Sequence, residues 1–412
     1  MNKDIPYVET LPSHWSIIQN RFLFRYDGQK VGDAHDDYQL LSLTTGGVKE
    51  RDINASGGKV PASYNNYQTV KKGQMVFCLF DLDCSAVFSG VSNYDGMITS
   101  AYDVFSSTAM MDNGYADYWF KYVFSNRYYK MFSKSIRYTI TGDMFRSLKT
   151  PVPPMVEQKR ISAFLFEQET KVDALIANVQ KQIEKLKAYK QSLITEVVTK
   201  GLDPNVPMKE SGVEWIGEIP VHWDVVKTGR LFKENNRKPY GNDTPLSLSQ
   251  VDGLIATDDM KESSLKTSTY DNWKRVELGD LVLNRFKAHL GVLFAATLTG
   301  IVSFHYGVYE ARRSLVPKFY EYLYHADQYR AILGNASNGM VVGLQNLSNL
   351  NFYSTYSLYP AYEEQKEIVA YLDKKCSQID SLISIKQEKI EKLEHYKRSL
   401  IYEYVTGKKE VF

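Results

Sequence analysis

Gln182–Thr199 reads QIEKLKAYKQSLITEVVT, and Lys389–Thr406 reads KIEKLEHYKRSLIYEYVT. The second stretch repeats the first 207 residues later, with the same apolar positions and nearly the same charges. In the first copy an apolar seam runs Val172, Ile176, Val179, Ile183, Leu186, Lys190, Leu193, Val197. In the second it runs Ile379, Ile383, Lys386, Ile390, Leu393, Lys397, Leu400, Tyr404. Steps alternating between four and three residues are the heptad stripe of a coiled coil. The spacing predicts a helix from Met155 to about Lys200, spanning roughly 70 Å at about 1.5 Å per residue. Gly201-Leu202-Asp203-Pro204 ends it, as a glycine stop followed by proline should. Lys190 and Lys397 occupy the same seam position. Such a lysine either fixes register and partner orientation or snorkels past the stripe.

The repeat extends outward from the helices. Glu157-Gln158-Lys159 opens the first helix and Glu364-Gln365-Lys366 the second; Leu11-Pro12-Ser13-His14-Trp15 is echoed by Ile219-Pro220-Val221-His222-Trp223. Between these frames the two halves diverge. A duplicated frame around two dissimilar inserts reads as one machine presenting two different readers. The expected division is a first globular domain over 1–152, a first long helix over 153–200, a second domain over 201–359 with a junction over 201–223, and a second long helix over 360–412. Two apolar-seamed helices in one chain are natural partners. A pseudo-two-fold repeat would lay them antiparallel, with a head at each end and the helices as a ruler between.

Within the heads, Gln74–Phe80 and Gly96–Phe105 read as short β-prone runs punctuated by Gly, Asn and Asp. Trp119–Phe132 carries apolar residues at helical spacing. Thr150-Pro151-Val152-Pro153-Pro154 breaks the chain before the helix. The expected class is α+β: two mixed α/β heads separated by long antiparallel coiled-coil helices.

Composition narrows the function. At 412 residues, 43% hydrophobic and 24% charged, the chain suits two or three domains of an ordinary globular protein. A formal net charge of +2 supplies no global field for nucleic acid or membrane, so any basic surface is local. The 30 tyrosines suit packing and wet interfaces. Three cysteines without a CxxC pair argue for a reducing compartment and against a zinc module. No apolar leader or spanning run stands out, and the expected location is the cytoplasm. No GxxxxGK[ST] phosphate loop, GxGxxG, HExxH, or adenine-gripping NPPY or DPPY motif occurs. The histidines are scattered; His14 and His222 suit a packed turn better than catalysis. No catalytic or metal-binding set is expected.

Over essentially its full length the chain resembles the specificity subunit (HsdS) of type I restriction–modification systems. The resemblance is carried by the junction from Gly201 through Ser211-Gly212-Val213-Glu214-Trp215-Ile216-Gly217 to Trp223, and by the Pro154–Lys159 and Pro360–Lys366 helix entries. Gly279-Asp280-Leu281-Val282 and Gly300-Ile301-Val302-Ser303 look like target-recognition-domain strands, with looser counterparts at Gly73-Gln74-Met75-Val76 and Gly96-Met97-Ile98-Thr99. The resemblance implies two target recognition domains on double-stranded DNA. It also implies two docked copies of an adenine methyltransferase subunit (HsdM) and a motor/endonuclease subunit (HsdR). It implies no cofactor on this chain: S-adenosylmethionine, ATP and Mg belong to the partners. A specificity subunit for a fused type IIB-like enzyme, or a coiled-coil scaffold that binds no DNA, are the alternatives.

Each head is then expected to read one half of an asymmetric split site, with cations on phosphates and side chains at base edges. The candidate DNA-binding residues are Lys134, Ser135, Arg137, Tyr138 and Thr139 in the first half. In the second they are Arg285, Lys287 and His289 after a strand, and Asn335, Ser337 and Asn338 in the loop that corresponds to the first group. Basic stretches around them (Lys121, Arg127, Lys130, Arg146, Lys149; Lys227, Arg230, Lys233, Arg237, Lys238) would hold phosphates, the alternative being an ordinary solvated face. Exposed helix residues Glu184, Lys185, Lys187, Gln191 and Glu391, Lys392, Glu394, Arg398 recur between the copies, as two copies of one partner would need.

Overall fold

The computed structural model describes residues 5–52, 63–133, 137–250, 252–260, 270, 272–337 and 346–411. Two helices dominate, Met155–Lys200 and Tyr362–Val405. Each ends at a glycine with positive φ, Gly201 (+79°) and Gly407 (+67°), a left-handed stop that side chains rarely adopt. The chain divides into two compact units. The first comprises Met1–Gln180 with Gln387–Phe412, the second Lys181–Lys386. Each long helix therefore contributes to both units, and a unit is completed by helix that is remote from it in sequence.

Within each unit the two helices run antiparallel. In the first, Phe164 meets Tyr404 with ring centroids 4.6 Å apart, and farther along Asp173 accepts from Lys397 at 2.9 Å. In the second, Gln182 accepts from Lys386 at 2.6 Å and Asp380 from Lys190 at 2.6 Å. Of the seam positions, Val172, Val179, Ile183, Leu193, Val197, Ile379, Ile390 and Leu400 are buried. Ile176, Leu186, Ile383, Leu393 and Tyr404, with Lys190, Lys386 and Lys397, are half-buried.

Each unit is built on the same sheet plan. A four-stranded antiparallel sheet orders Phe24–Tyr26, Asp103–Ser107, Met75–Phe77, Ser89–Val91 in the first unit. Its counterpart orders Phe232–Glu234, Tyr306–Ala311, Leu281–Asn284, Leu293–Ala295. Hairpins Leu41–Thr44/Gly47–Glu50 and Leu246–Ser249/Gly253–Ala256 match as well. The strands LSLT and LSLS bury both leucines and half-expose the hydroxyls between them, the period-two signature of a one-sided strand.

Some boundaries differ from the sequence reading. Gly96–Phe105 is two strands, Gly96–Ile98 and Asp103–Ser107. The helix expected over Trp119–Phe132 is Asn113–Ser125, capped by Asp112, followed by a short turn Tyr128–Met131. Arg127, at φ +56°, separates them because the left-handed conformation ends an α-helix. The proline-rich break is itself a strand: Lys149–Val152 pairs with Ser16–Gln19, setting Pro151 opposite Ile17. A two-stranded ribbon consists of edges, where a missing amide is tolerated.

The duplicated Glu-Gln pair explains itself in space. Gln158 is fully buried; its Oε1 accepts from the Asp112 amide (2.8 Å) and its Nε2 donates to the Met110 and Pro153 carbonyls (2.9 Å each). Gln365 likewise accepts from the Val316 amide and donates to the Pro360 carbonyl, both at 2.8 Å. Glu157 accepts from Trp15 Nε1 (3.0 Å) and pairs with His14 Nε2 (2.9 Å); Glu364 pairs with His222 Nε2 (3.0 Å). The repeated His-Trp frame is thus a bracket that ties each head to the start of a helix.

Candidate nucleic-acid interface

In each unit the central strand of the sheet delivers a loop against a later segment of the same unit. In the first, strand Met75–Phe77 leads into Cys78–Ser85, and the Leu79 carbonyl accepts from the Ile140 amide at 2.7 Å. In the second, strand Leu281–Asn284 leads into Arg285–Leu290, and the Arg285 carbonyl accepts from the Leu347 amide at 3.0 Å. The two positions correspond: Cys78 and Asn284 each donate an amide to the returning strand, to Phe88 (2.8 Å) and Val292 (2.9 Å).

The first unit gathers three cations on two carboxylates here. Lys130 lies 2.9 Å from Asp83, Arg127 3.8 Å from Asp83, and Arg137 3.6 Å from Asp81. Hydrogen bonds from Lys130 and from the Tyr129 hydroxyl hold the Asp83 carboxyl below its ordinary range. The guanidinium of Arg137 is largely in solvent, with 79% of its side chain exposed. Tyr138, at φ +48°, offers its ring face to Lys130 Nζ at 4.5 Å. The Thr139 carbonyl accepts from Ser133 Oγ at 3.2 Å. Lys134 and Ser135 lie outside the described residues.

The second unit uses the same place differently. Asn284 caps the turn, its Oδ1 accepting from the Phe286 (3.1 Å) and Lys287 (3.3 Å) amides. Arg285 turns inward: its Nη2 donates to Glu234 at 2.5 Å and to Asn349 at 2.8 Å, while Lys274 reaches the same Glu234 oxygen at 2.8 Å. Burial works to raise the Glu234 pKa, but Lys274 and Arg285 outweigh it and hold the carboxyl below its usual value. That network commits Arg285 to the fold. Lys287 is exposed, whereas His289 is half-buried with an Nδ1 that meets no partner among the described residues.

The turn packs against helix Asp327–Asn335, so the structure brings the Arg285–His289 group beside Asn335 and Ser337. Asn335 is exposed; Ser337 gives its hydroxyl to the Leu333 carbonyl at 2.8 Å. Asn338 lies outside the described residues. Of the basic stretches, Arg237 is tied into the fold by Asp280 (2.5 Å) and Glu310 (3.1 Å).

Sequence reasoning passed over Phe80 and noticed Phe286 only as the aromatic of the Asn284–His289 stretch; each stands next to the bonded carbonyl and is 38% exposed. Continuing the match of Gly73-Gln74-Met75-Val76 with Gly279-Asp280-Leu281-Val282 by four residues would have found them. It also passed over Asp173 and Asp380, which share the 207-residue offset of the two seam lysines. Each lysine is bridged to the aspartate of the other copy, Lys190 to Asp380 and Lys397 to Asp173.

On the helix surfaces, Glu184 pairs with Lys187 at 3.0 Å, and Gln191 donates to the His325 carbonyl at 2.9 Å. Lys185, Glu391, Lys392, Glu394 and Arg398 are exposed. Among the described residues no group of His, Cys, Asp and Glu could hold a metal ion, and no helix is long and apolar enough to cross a membrane.

No family model matches the chain. It is 27% identical over 291 residues to the putative type I restriction enzyme MjaX specificity subunit of Methanocaldococcus jannaschii, covering 66% of this chain and 61% of that protein. It is 28% identical over 285 residues to the type I restriction enzyme MjaVIII specificity subunit of the same organism, covering 64% and 63%. The matches thus span less than two thirds of these relatives' length. Among solved structures, the crystal structure of the HsdS subunit from Thermoanaerobacter tengcongensis covers 96% of this chain and 98% of its own, at TM-score 0.51 and 15% identity. The chain has the HsdS fold. A structure describing complex assembly and conformational transition of the type I R-M system agrees more closely, with TM-score 0.70 over 97% of this chain and 99% of its own, again at 15% identity. At such low identity the HsdS likeness is one of backbone, consistent with frames that persist while loop residues change.

Proposed function

We propose that this chain is the DNA-recognition subunit of a type I restriction–modification complex, each unit reading one half of an asymmetric split site. The observation that carries the reading is one loop position built twice on one backbone plan and filled differently: Leu79-Phe80-Asp81 in one unit, Arg285-Phe286-Lys287 in the other. Equivalent placement gives both units the same approach to a duplex; different side chains give them different half-sites. Phosphate contacts come from exposed cations, Arg137 and Arg127 in the first unit and Lys287 in the second. Asn335, exposed at the end of the helix that packs on the Arg285–Leu290 turn, is the residue assigned to a base edge in this reading.

The chain carries no chemistry of its own in this reading. Two copies of an adenine methyltransferase subunit dock on the repeated helix surfaces and supply S-adenosylmethionine, one modifying each half-site. A motor/endonuclease subunit adds ATP-driven cleavage. Both long helices run through both units, so they set the unread spacer, and lengthening them changes it. The test is to co-express the chain with its cognate methyltransferase and map modified adenines across the host genome. A single asymmetric split motif, modified on both strands and absent without this chain, is expected. An unsplit motif, or methylation indifferent to the chain, would return the protein to the class of coiled-coil scaffolds.

A further inference from the structure

Phe80 and Phe286 stand out because the chain around them was rewritten and they were not. Their neighbours change from Leu79 and Asp81 to Arg285 and Lys287, yet the phenyl ring recurs at the same place in the hydrogen-bonding pattern. Neither ring joins the buried clusters of its unit. A single exposed phenylalanine is ordinary on any surface. Recurrence at one backbone position within otherwise divergent loops calls for a use outside the fold, since a solvated position accepts polar residues equally well.

Each ring is also braced. Phe80 stacks on Tyr102 with centroids 6.2 Å apart and planes 28° apart. Phe286 meets His305 at a steep angle, with centroids 5.4 Å and planes 61° apart, and the His305 centroid lies 3.9 Å from that of Phe304, itself 51% exposed. A ring held from behind by another ring loses little conformational freedom when it is pressed into a partner. Cations flank both: Arg137 is tethered to Asp81 next to Phe80, and exposed Lys287 follows Phe286 directly. An apolar tip within a cationic rim matches a polyanion whose interior is stacked aromatic rings.

We infer that Phe80 and Phe286 are apolar wedges that enter a DNA base step, one in each half-site. The inference rests on the DNA-reading role proposed above. Inserting a side chain partly unstacks the step and kinks the duplex there. The unstacking cost is lowest at flexible pyrimidine–purine steps, so the wedges add selectivity for deformable sequence on top of base-edge contacts.

The experiment uses the full chain assembled with its methyltransferase, and a duplex carrying the split site with 2-aminopurine placed at successive positions. Wild-type complex should raise the fluorescence at one step in each half-site. Phe80→Ala should abolish the rise in one half only and Phe286→Ala in the other, each weakening binding about tenfold, the scale of one lost stacking contact. Phe→Leu at either position should restore the signal, because a wedge needs bulk rather than aromaticity. The unfolding midpoint and the salt dependence of non-specific binding should not move. If both alanine variants bind and unstack like wild type, or if a variant responds only to replacing thymine by uracil with no 2-aminopurine signal, the wedge is wrong. Failure of the wild-type complex to bind the duplex would instead defeat the DNA-reading role itself.

Discussion

The same position beneath each head holds a charged lysine in one unit and a neutral histidine in the other. Lys121 and His325 each lie nine residues beyond the amide received by the buried helix glutamine, Gln158 or Gln365. Three residues earlier, Tyr118 donates to Glu169 (2.9 Å) and Tyr322 to Asp373 (2.6 Å). Lys121 pairs with Asp117 (3.1 Å) and Glu169 (3.6 Å); burial works against its charge, but those carboxylates outweigh it. His325 faces no carboxylate at ion-pair distance among the described residues. Burial pushes its imidazole down to about 4, with Lys318 and Arg330 adding in the same direction. One backbone plan thus tolerates opposite electrostatic solutions, and the units should part company when the plan is stressed.

The largest separation is expected from the glutamines. Gln158→Leu strands an amide and two carbonyls, Gln365→Leu an amide and one carbonyl. With each orphaned buried group costing ~1–3 kcal/mol, Gln158→Leu should lose about 3 kcal/mol or more and exceed Gln365→Leu. Denaturant midpoints with hydrogen exchange resolved by unit would read both.

Acid gives a comparable effect in the second unit. The folded pKa of His325 lies below its ordinary 6.5, so the unfolded chain takes the proton first. The stabilisation is complete above pH 6.5 and is lost as pH falls towards about 4, to a limit of about 3 kcal/mol. His325→Phe should flatten that slope. In the first unit Lys121 and Lys397 outweigh burial and keep Glu169 below its ordinary 4.5, so its contribution persists until the pH falls below that value. Hydrogen exchange at pH 5 should therefore rise in the second unit before the first; equal acceleration would count against the assignment.

The reader loops come next. Arg285→Ala removes one of two cations from half-buried Glu234 and should cost roughly 2 kcal/mol, less than a fully broken buried pair. Arg137→Ala should leave stability within about 0.5 kcal/mol and lower the salt slope of DNA binding by about one. Thermal unfolding and a salt titration separate the two roles. Smallest are the seam lysines. Lys397 bridges Glu169 and Asp173, Lys190 only Asp380, so Lys397→Met should cost about 1 kcal/mol and Lys190→Met close to none after screening by solvent.

The heptad seam, the glycine stop at Gly201 and the duplicated Glu-Gln entries made the long helices and the twofold plan readable, because these signals are local to the chain. The sheet orders were not readable. Strand Phe24–Tyr26 pairs with Asp103–Ser107, a partner fixed by tertiary packing rather than by a turn. The antiparallel helix pair was readable, but not the contacts it makes: the Val405 carbonyl accepts from the Tyr115 phenol at 3.3 Å, a partner 290 residues away that only the fold supplies. At the candidate interface, Arg137 as an exposed cation followed from its polar surroundings. The inward turn of Arg285 did not, because Glu234 and Asn349 are distant in sequence and only the fold brings them together.

The most direct test of two independent readers is to exchange one of them. Residues 20–148, closed at their base by the Asn20 amide on the Leu148 carbonyl (2.8 Å), would be replaced by the equivalent segment of a relative with a different methylation motif. The hybrid would be co-expressed with the methyltransferase and its methylome sequenced. One half of the split motif should change while the other half and the spacer stay as they were. A change in both halves, or in neither, would contradict the account.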